Sequence, residues 1–282
     1  MIGLRQNLGS QKASLILDTC DAHCLDLMLD DIGKVDRVKK AIKRGIELVG
    51  FIYNHTFALN MMREFTNRME LVRHGVTRFA TTFLTLQRLH NQKPNLRRMF
   101  TSDKWAQSKI AKDSKGKEAT TTVLKTSFWD NVVFSLKAMG PLVQVLRLVD
   151  NEKKPAMGYI YEAMDRAKEA IQKAFNHNEE KYRQIFDIVD RRWESQLHHP
   201  LHAAGYYLNP EFFYANPRID ADPEVEGLYK CTERLSESEQ VVDKISQGLM
   251  SYKMAQGIFG MKQAIRQRNQ VPPGKIDCPY FK

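Results

Sequence analysis

A chain of 282 residues in which 43% of side chains are hydrophobic is long enough and apolar enough to bury a core, which excludes a disordered polypeptide. Its formal net charge of +10 narrows the partners to negatively charged surfaces: nucleic acid, an anionic membrane or an acidic protein. The cysteines at positions 20, 24, 231 and 278 have no framework spacing, and neither a secretory signal nor an apolar run of about 18 residues is recognisable. A reducing, intracellular protein is therefore expected, rather than a disulfide scaffold or a membrane span.

In chain order, residues 1–13 are polar, and Leu15, Ile16 and Leu17 read as a short strand or a buried turn. From Met28 the apolar positions Ile32, Val35, Val38, Ile42, Ile46, Val49 and Tyr53 recur in steps of three and four, which predicts one amphipathic helix. Its other face carries Lys34, Arg37, Lys39, Lys40, Lys43 and Arg44, either as a solvated surface or as phosphate contacts. Helices follow over 58–71 and 78–90, the second capped by Thr77 and stopped by Pro94.

Residues 88–117 form the most basic window. Arg88, Lys93, Arg97, Arg98, Lys104, Lys109, Lys112, Lys115 and Lys117 face only the acids Asp103 and Asp113, with Phe100 and Trp105 among them. Helical periodicity returns from Phe128 to Met139, and Gly140-Pro141 predicts a break or kink before Leu142–Val149. Core helices are expected over 157–175 and 181–197. The prolines and aromatics of 198–224 predict an ordered but irregular connection. Two final helices fit 226–235 and 238–258, and the proline-containing tail 271–282 reads as loose. The chain shows no strand-rich stretch, repeat or glycine-rich phosphate loop, so the class is mainly α.

Cys20, His23 and Cys24 could supply part of a zinc site, which normally needs four thiolate or imidazole ligands. His198, His199, His202, Cys231 and Cys278 are the available completions. The alternative is a decorated helix start with Asp21 at the positive N-terminus. His198 and His202 have metal-pair spacing but enclose Pro200 and lack the glutamate of a zincin. Asp30-Asp31 and Glu179-Glu180 are either cation ligands or solvated acids. In the basic window the lysines and arginines suit a nucleic-acid backbone, and Phe100 or Trp105 an exposed base. The alternative is a solvated loop with an aromatic anchor in the core.

The run Cys20-Asp21-Ala22-His23-Cys24-Leu25-Asp26-Leu27-Met28-Leu29-Asp30-Asp31-Ile32-Gly33, followed by Val76-Thr77-Arg78-Phe79-Ala80-Thr81, resembles the hAT superfamily of DNA transposases in the form found in plant genomes. Two further segments are similar to it in order and spacing: residues 154–164 (KPAMGYIYEAM) and 201–210 (LHAAGYYLNP). The resemblance covers residues 14–265. It implies a helical bundle like the family's insertion domain at 61–265, a remnant of its RNase H-like α/β catalytic fold at 1–60, and a loose tail at 266–282.

It also implies that His23, in a Cys-x-x-His motif, lies near a DNA end. Arg78-Phe79 stands for the family's Arg-Trp motif, whose ring stacks on an extruded base; phenylalanine stacks less extensively. The family cleaves DNA with two aspartates and one glutamate that hold divalent metal ions, Mg in the intact enzyme. None of the three has a match here. The resemblance therefore implies a nuclear, catalytically incomplete DNA-binding chain with no cofactor of its own and no membrane, partnered by DNA and by itself or related transposase chains.

The expected DNA contacts are His23, Arg78 and Phe79 by resemblance, and Arg88, Arg97, Arg98, Lys104, Trp105, Lys109 and Lys112 from charge and aromatic character. Two other readings stay open. One is a helical protein-interaction scaffold with basic surfaces; the other is an enzyme whose carboxylates come from elsewhere in the chain or from a second chain.

Overall fold

The structure is a computed structural model that describes residues 21–73, 79–150, 158–197, 199–216 and 224–268. Among these residues the fold is helical, with no strand. The strand expected around Leu15 lies outside them. The chain divides into two compact units: residues 1–24, 145–166 and 190–282 form the first, and 25–144 and 167–189 the second. The boundary expected at residue 60 falls inside the second unit.

The helix expected from Met28 to Tyr53 is two helices, α1 (Asp21–Gly33) and α2 (Asp36–Asn54). Gly33 is a poor helix former, Val35 is extended (φ −59°, ψ 129°), and Asp36 supplies a carboxylate to the first turn of α2. Lys34 closes the break by bridging Asp30 at 2.7 Å and Asp31 at 2.8 Å. These two carboxylates hold its ammonium in the charged form and push its pKa up. The cation at this acidic pair is the chain's own lysine.

α2 turns Val38, Ala41, Leu48, Val49 and Ile52 into the core of the second unit and keeps Lys39, Lys40 and Lys43 exposed. Arg37, exposed beside them, also reaches across: it donates to Asn131 at 3.1 Å and lies 4.2 Å above the Phe134 ring. α3 (Thr56–Phe65) stops short of the expected Leu71. There the Thr66 hydroxyl donates to the carbonyls of Met62 and Met69, at 2.7 and 3.0 Å, and Asn67 and Arg68 take left-handed backbone angles.

The basic window is not a loop. After α4 (Phe79–Asn91) come α5 (Lys93–Phe100), α6 (Asp103–Ala106), α7 (Lys109–Lys112) and α8 (Ser114–Leu124). α9 (Thr126–Val149) runs through Gly140-Pro141 without the expected interruption. An interior proline costs a helix about 3 kcal/mol. Here burial of Phe128, Trp129, Val132, Met139, Leu142 and Val143 offsets it, and the Phe83 ring sits 3.6 Å from where a Gly140 side chain would be. α9 is also long and apolar enough to cross a membrane by length and composition, and half of it is buried inside the fold.

α10 (Ile160–Ala174) and α11 (Glu179–Arg192) follow, the latter ending in a π turn at Trp193–Leu197. The connection expected to be irregular folds into α12 (Pro200–Tyr207) and α13 (Pro210–Phe213), each with proline in its first turn, where the missing N–H costs nothing. Asn209 joins them: its side chain accepts from Glu211 N at 3.1 Å and donates to Gly158 O at 3.0 Å. Tyr206, Tyr207, Phe212 and Phe213 pack in the aromatic core of the first unit with Tyr159, Tyr161 and Tyr252. α14 (Glu224–Leu235), α15 (Glu239–Lys253), a 3-10 turn at Gly257–Gly260 and α16 (Lys262–Gln267) complete the described chain. Helix therefore reaches into the tail expected to begin at 266.

Candidate nucleic-acid interface

The window 88–117 is ordered from within by one indole. Trp105 is 2% exposed, meets Phe100 edge-on at 4.6 Å, and donates from Nε1 to the Thr120 hydroxyl at 3.0 Å. Around this anchor the short helices are capped by serines. The hydroxyl of Ser102 accepts from Trp105 N, and that of Ser108 from Ala111 N, both at 3.2 Å. With the apolar side inward, Lys104, Lys109, Lys112, Lys115 and Lys117 are all exposed.

Their partners sort these cations into two sets. Lys104 is bound to Glu64 at 2.6 Å, and Arg97 donates to the Leu124 carbonyl at 3.1 Å. Arg98 lies 6.0 Å over Phe65, Lys93 5.4 Å over Trp129, and Arg88 reaches the Met69 sulfur at 3.5 Å. Each of these five side chains touches another part of the fold. Lys109, Lys112, Lys115 and Lys117 have no ion-pair partner among the described residues. They follow one another along α7 and the start of α8, with Asp113 between them.

α8 packs beside α2, and the two line a cleft of about 410 Å³ with Arg44, Asn54, His55, Lys115 and Thr122. Glu47 and Glu118 line it too, so its cations are offset and its contribution is hydrogen-bonding groups rather than net charge. His55 is fixed there, with Nδ1 2.8 Å from Phe51 O and its ring 4.5 Å from the Phe51 ring. Sequence spacing did not single out this meeting of α2 with the basic window; only the amphipathic, basic character of α2 signalled it.

Exposed ammonium groups without ion-pair partners can contact phosphate oxygens and hold a duplex in register, while carrying no base readout. Trp105 and Phe100 do not add stacking, because both rings are closed off in the core. For them the core-anchor alternative holds. His23 is exposed on α1, whereas the neighbouring Cys24 is fully buried. Phe79 opens α4, and Cys20 and Arg78 lie outside the described residues.

His202 has both ring nitrogens engaged: Nδ1 lies 2.8 Å from Leu197 O and Nε2 3.2 Å from the Asp21 carboxylate. It is a structural histidine rather than half of a metal pair, and His198 lies outside the described residues. Burial pushes the Cys231 thiol up, away from the thiolate a metal or a nucleophilic role needs. Among the described residues no group of three or more His, Cys, Asp or Glu side chains comes together in a way that could hold a metal ion.

No protein-family model, curated protein or solved structure matches this chain. The candidate interface therefore rests on its geometry and charge.

Proposed function

We propose that this chain is a DNA-binding helical protein of hAT transposase descent, which holds the duplex backbone through Lys109, Lys112, Lys115 and Lys117 of α7 and α8. The observation that carries the proposal is that these four exposed ammonium groups lack carboxylate partners among the described residues, in a protein of net charge +10. A cation with no internal partner gives up no ion pair when it meets a phosphate, whereas Lys104 would have to leave Glu64. In this reading the helices of residues 61–265 stand for the family's insertion domain, and α1 and α2 belong to its RNase H-like remnant. Holding a duplex backbone in this way needs neither a catalytic residue nor a cofactor. The working compartment is the nucleus.

The test is fluorescence anisotropy with duplex and hairpin-ended DNA over a salt series, with and without Mg²⁺, comparing the parent chain with K109Q/K112Q/K115Q/K117Q. Each phosphate contact contributes about 0.9 to the slope of log K against log salt, so the quadruple variant should lose about 3 to 4 of that slope. Binding should not depend on Mg²⁺. Absence of binding at low salt, or an unchanged slope in the variant, would overturn the proposal.

A further inference from the structure

The first unit contains an apolar groove that the DNA interface does not use. One wall is a tight pair: Gly227 of α14 lies so close to α12 that a β-carbon there would come within 2.5 Å of the Ala203 Cβ. The other wall is α15, which lines the space with Val241, Ile245, Gly248, Leu249 and Tyr252. Their spacing puts these residues on one face of the helix, and at 1.5 Å per residue the trough follows that face for about 16 Å. Midway along it, a β-carbon on Gly248 would meet nothing within 4 Å, so the trough keeps its width there.

The space between the walls is about 920 Å³, with Leu208, Leu228 and Leu235 among its other lining residues. That is the size of a site for a small organic molecule, and its walls suit hydrocarbon. The groove is half-open: Val241 and Ile258, both in its lining, stay 39% and 57% exposed. Apolar surface is thereby left in contact with water, which favours an apolar occupant.

The polar side chains of the lining differ in what they have to offer a ligand. The Tyr214 hydroxyl donates to Tyr252 O at 2.6 Å, that of Thr232 donates to Leu228 O at 2.9 Å, and that of Ser236 is shut off from solvent. Arg268 is the one charged side chain in the lining, which holds no carboxylate. Its guanidinium lies 3.5 Å from the Tyr214 ring centre and donates to Phe259 O at 3.1 Å. A guanidinium carries five N–H groups, so donors remain, and Arg268 has no ion-pair partner among the described residues. The Tyr214 ring is 5.3 Å from that of Tyr252, which fixes this cation at the C-terminal end of α15. The wider charge runs the same way: Lys244 to Arg268 contains no acid, whereas Glu237, Glu239 and Asp243 stand at the start of α15.

We infer that the groove is a binding site for a long-chain carboxylic acid, with the chain laid along α15 and the carboxylate on Arg268. Carboxylate oxygens accept from a guanidinium as a fork, and such charge-assisted bonds are the strong ones. A chain with an uncharged head would gain the apolar burial and leave Arg268 without an anion; a cationic head would be repelled by it. The inference is independent of the DNA interface, which lies on other helices.

Titration of the full chain with cis-parinaric acid, a fluorescent long-chain acid, below its micelle-forming concentration tests it. Emission should rise and saturate, and oleic acid should displace the probe, whereas hexanoic acid, too short to follow the trough, should not. Oleyl alcohol should compete at least tenfold more weakly than oleic acid. Arg268→Gln should lose that preference and Arg268→Lys should keep part of it, both with parent helicity by circular dichroism. Gly248→Phe fills the middle of the trough without displacing a neighbour, and should abolish probe binding while the helicity stays at or above that of the parent. Absence of saturable binding in the parent, equal competition by acid and alcohol, or parent-like binding in G248F would each overturn the inference. Loss of the probe signal on raising the protein concentration would mean that another copy covers the groove, and would overturn it too.

Discussion

The imidazole Nε2 of His202 lies 3.2 Å from the Asp21 carboxylate, while its Nδ1 faces the Leu197 carbonyl at 2.8 Å. Two segments far apart in the chain, the start of α1 and α12, are thereby tied together inside the first unit. Replacing His202 by Phe leaves both acceptors without this partner in a largely buried place. The expected loss is about 1 to 3 kcal/mol in chemical denaturation. Unchanged stability would show that the contact does not form in solution.

Trp105 is expected to act on stability and not on DNA. Trp105→Ala should cost about 3 to 5 kcal/mol through the cavity it leaves. Trp105→Phe keeps most of the packing and forfeits the bond to Thr120, worth about 1 kcal/mol. DNA affinity of the phenylalanine variant should equal that of the parent in the anisotropy assay. A tenfold weakening with the fold intact would mean that the indole reaches a base after all.

Gly116 lets α8 approach α7 closely. A β-carbon there would lie 1.9 Å from the Ile110 carbonyl oxygen, and a backbone atom cannot swing aside as a side-chain tip can. Gly116→Ala must therefore push α7 from α8, which carry Lys112 and Lys115 on either side of the contact. Thermal denaturation should report a loss of about 1 to 3 kcal/mol, as for other overpacked sites. The salt slope of DNA binding should fall with it; a variant as stable as the parent would contradict this close approach.

Tyr53 makes stability sensitive to alkali. Its hydroxyl proton is shared between Glu70 at 2.7 Å and the Leu71 carbonyl at 2.8 Å, and burial together with the Glu70 carboxylate pushes its pKa up from 10.0 to about 12. A raised pKa means that the fold prefers the protonated phenol. Its contribution is complete below the unfolded value near 10 and is lost as pH rises through about 12. Urea midpoints should therefore fall between those two values, and Tyr53→Phe should make the fall shallower. Tyr159, raised in the same direction beside Glu211, keeps some of the dependence in that variant.

Arg97 and Lys104, expected from charge alone to contact DNA, should behave differently from Lys109 and Lys112. Their partners are Leu124 O and Glu64. Lys104→Gln should leave the salt slope within experimental error and change stability by less than about 1 kcal/mol, as exposed pairs do. Arg97→Gln should lower the melting temperature more, because part of its guanidinium is buried. A slope reduced by either variant as much as by K109Q would erase the distinction between tethered and free cations.

Much of the helical order was legible in the residues themselves. Val38 and Val49 of the recurring series fall on the buried face of α2, with Ile42, Ile46 and Tyr53 half-buried beside it, and the periodicity of Ile160, Met164 and Ile171 located the buried face of α10. These signals survive because a helix presents one stripe wherever it packs, so period three to four is local information. Composition likewise exposed the basic window. Proline and glycine misled in both directions: Gly140-Pro141 lies inside α9, and Pro200 and Pro210 begin helices rather than breaking the chain. In each case packing of the flanking apolar residues outweighed the local preference.

Sequence alone therefore determined that this protein is mainly helical, strongly basic, and richest in cations over residues 88–117. Tertiary structure decided which of those cations are free. Glu64 neutralises Lys104 from another helix, Trp105 turns inward to meet Thr120, and α2 comes to rest beside Lys115. The same closing of the chain left Val241 and Ile245 facing an open groove instead of a core. Periodicity fixes which side of a helix is apolar, but the partner of a charge or an apolar face comes from distant segments, and only the folded chain brings those together.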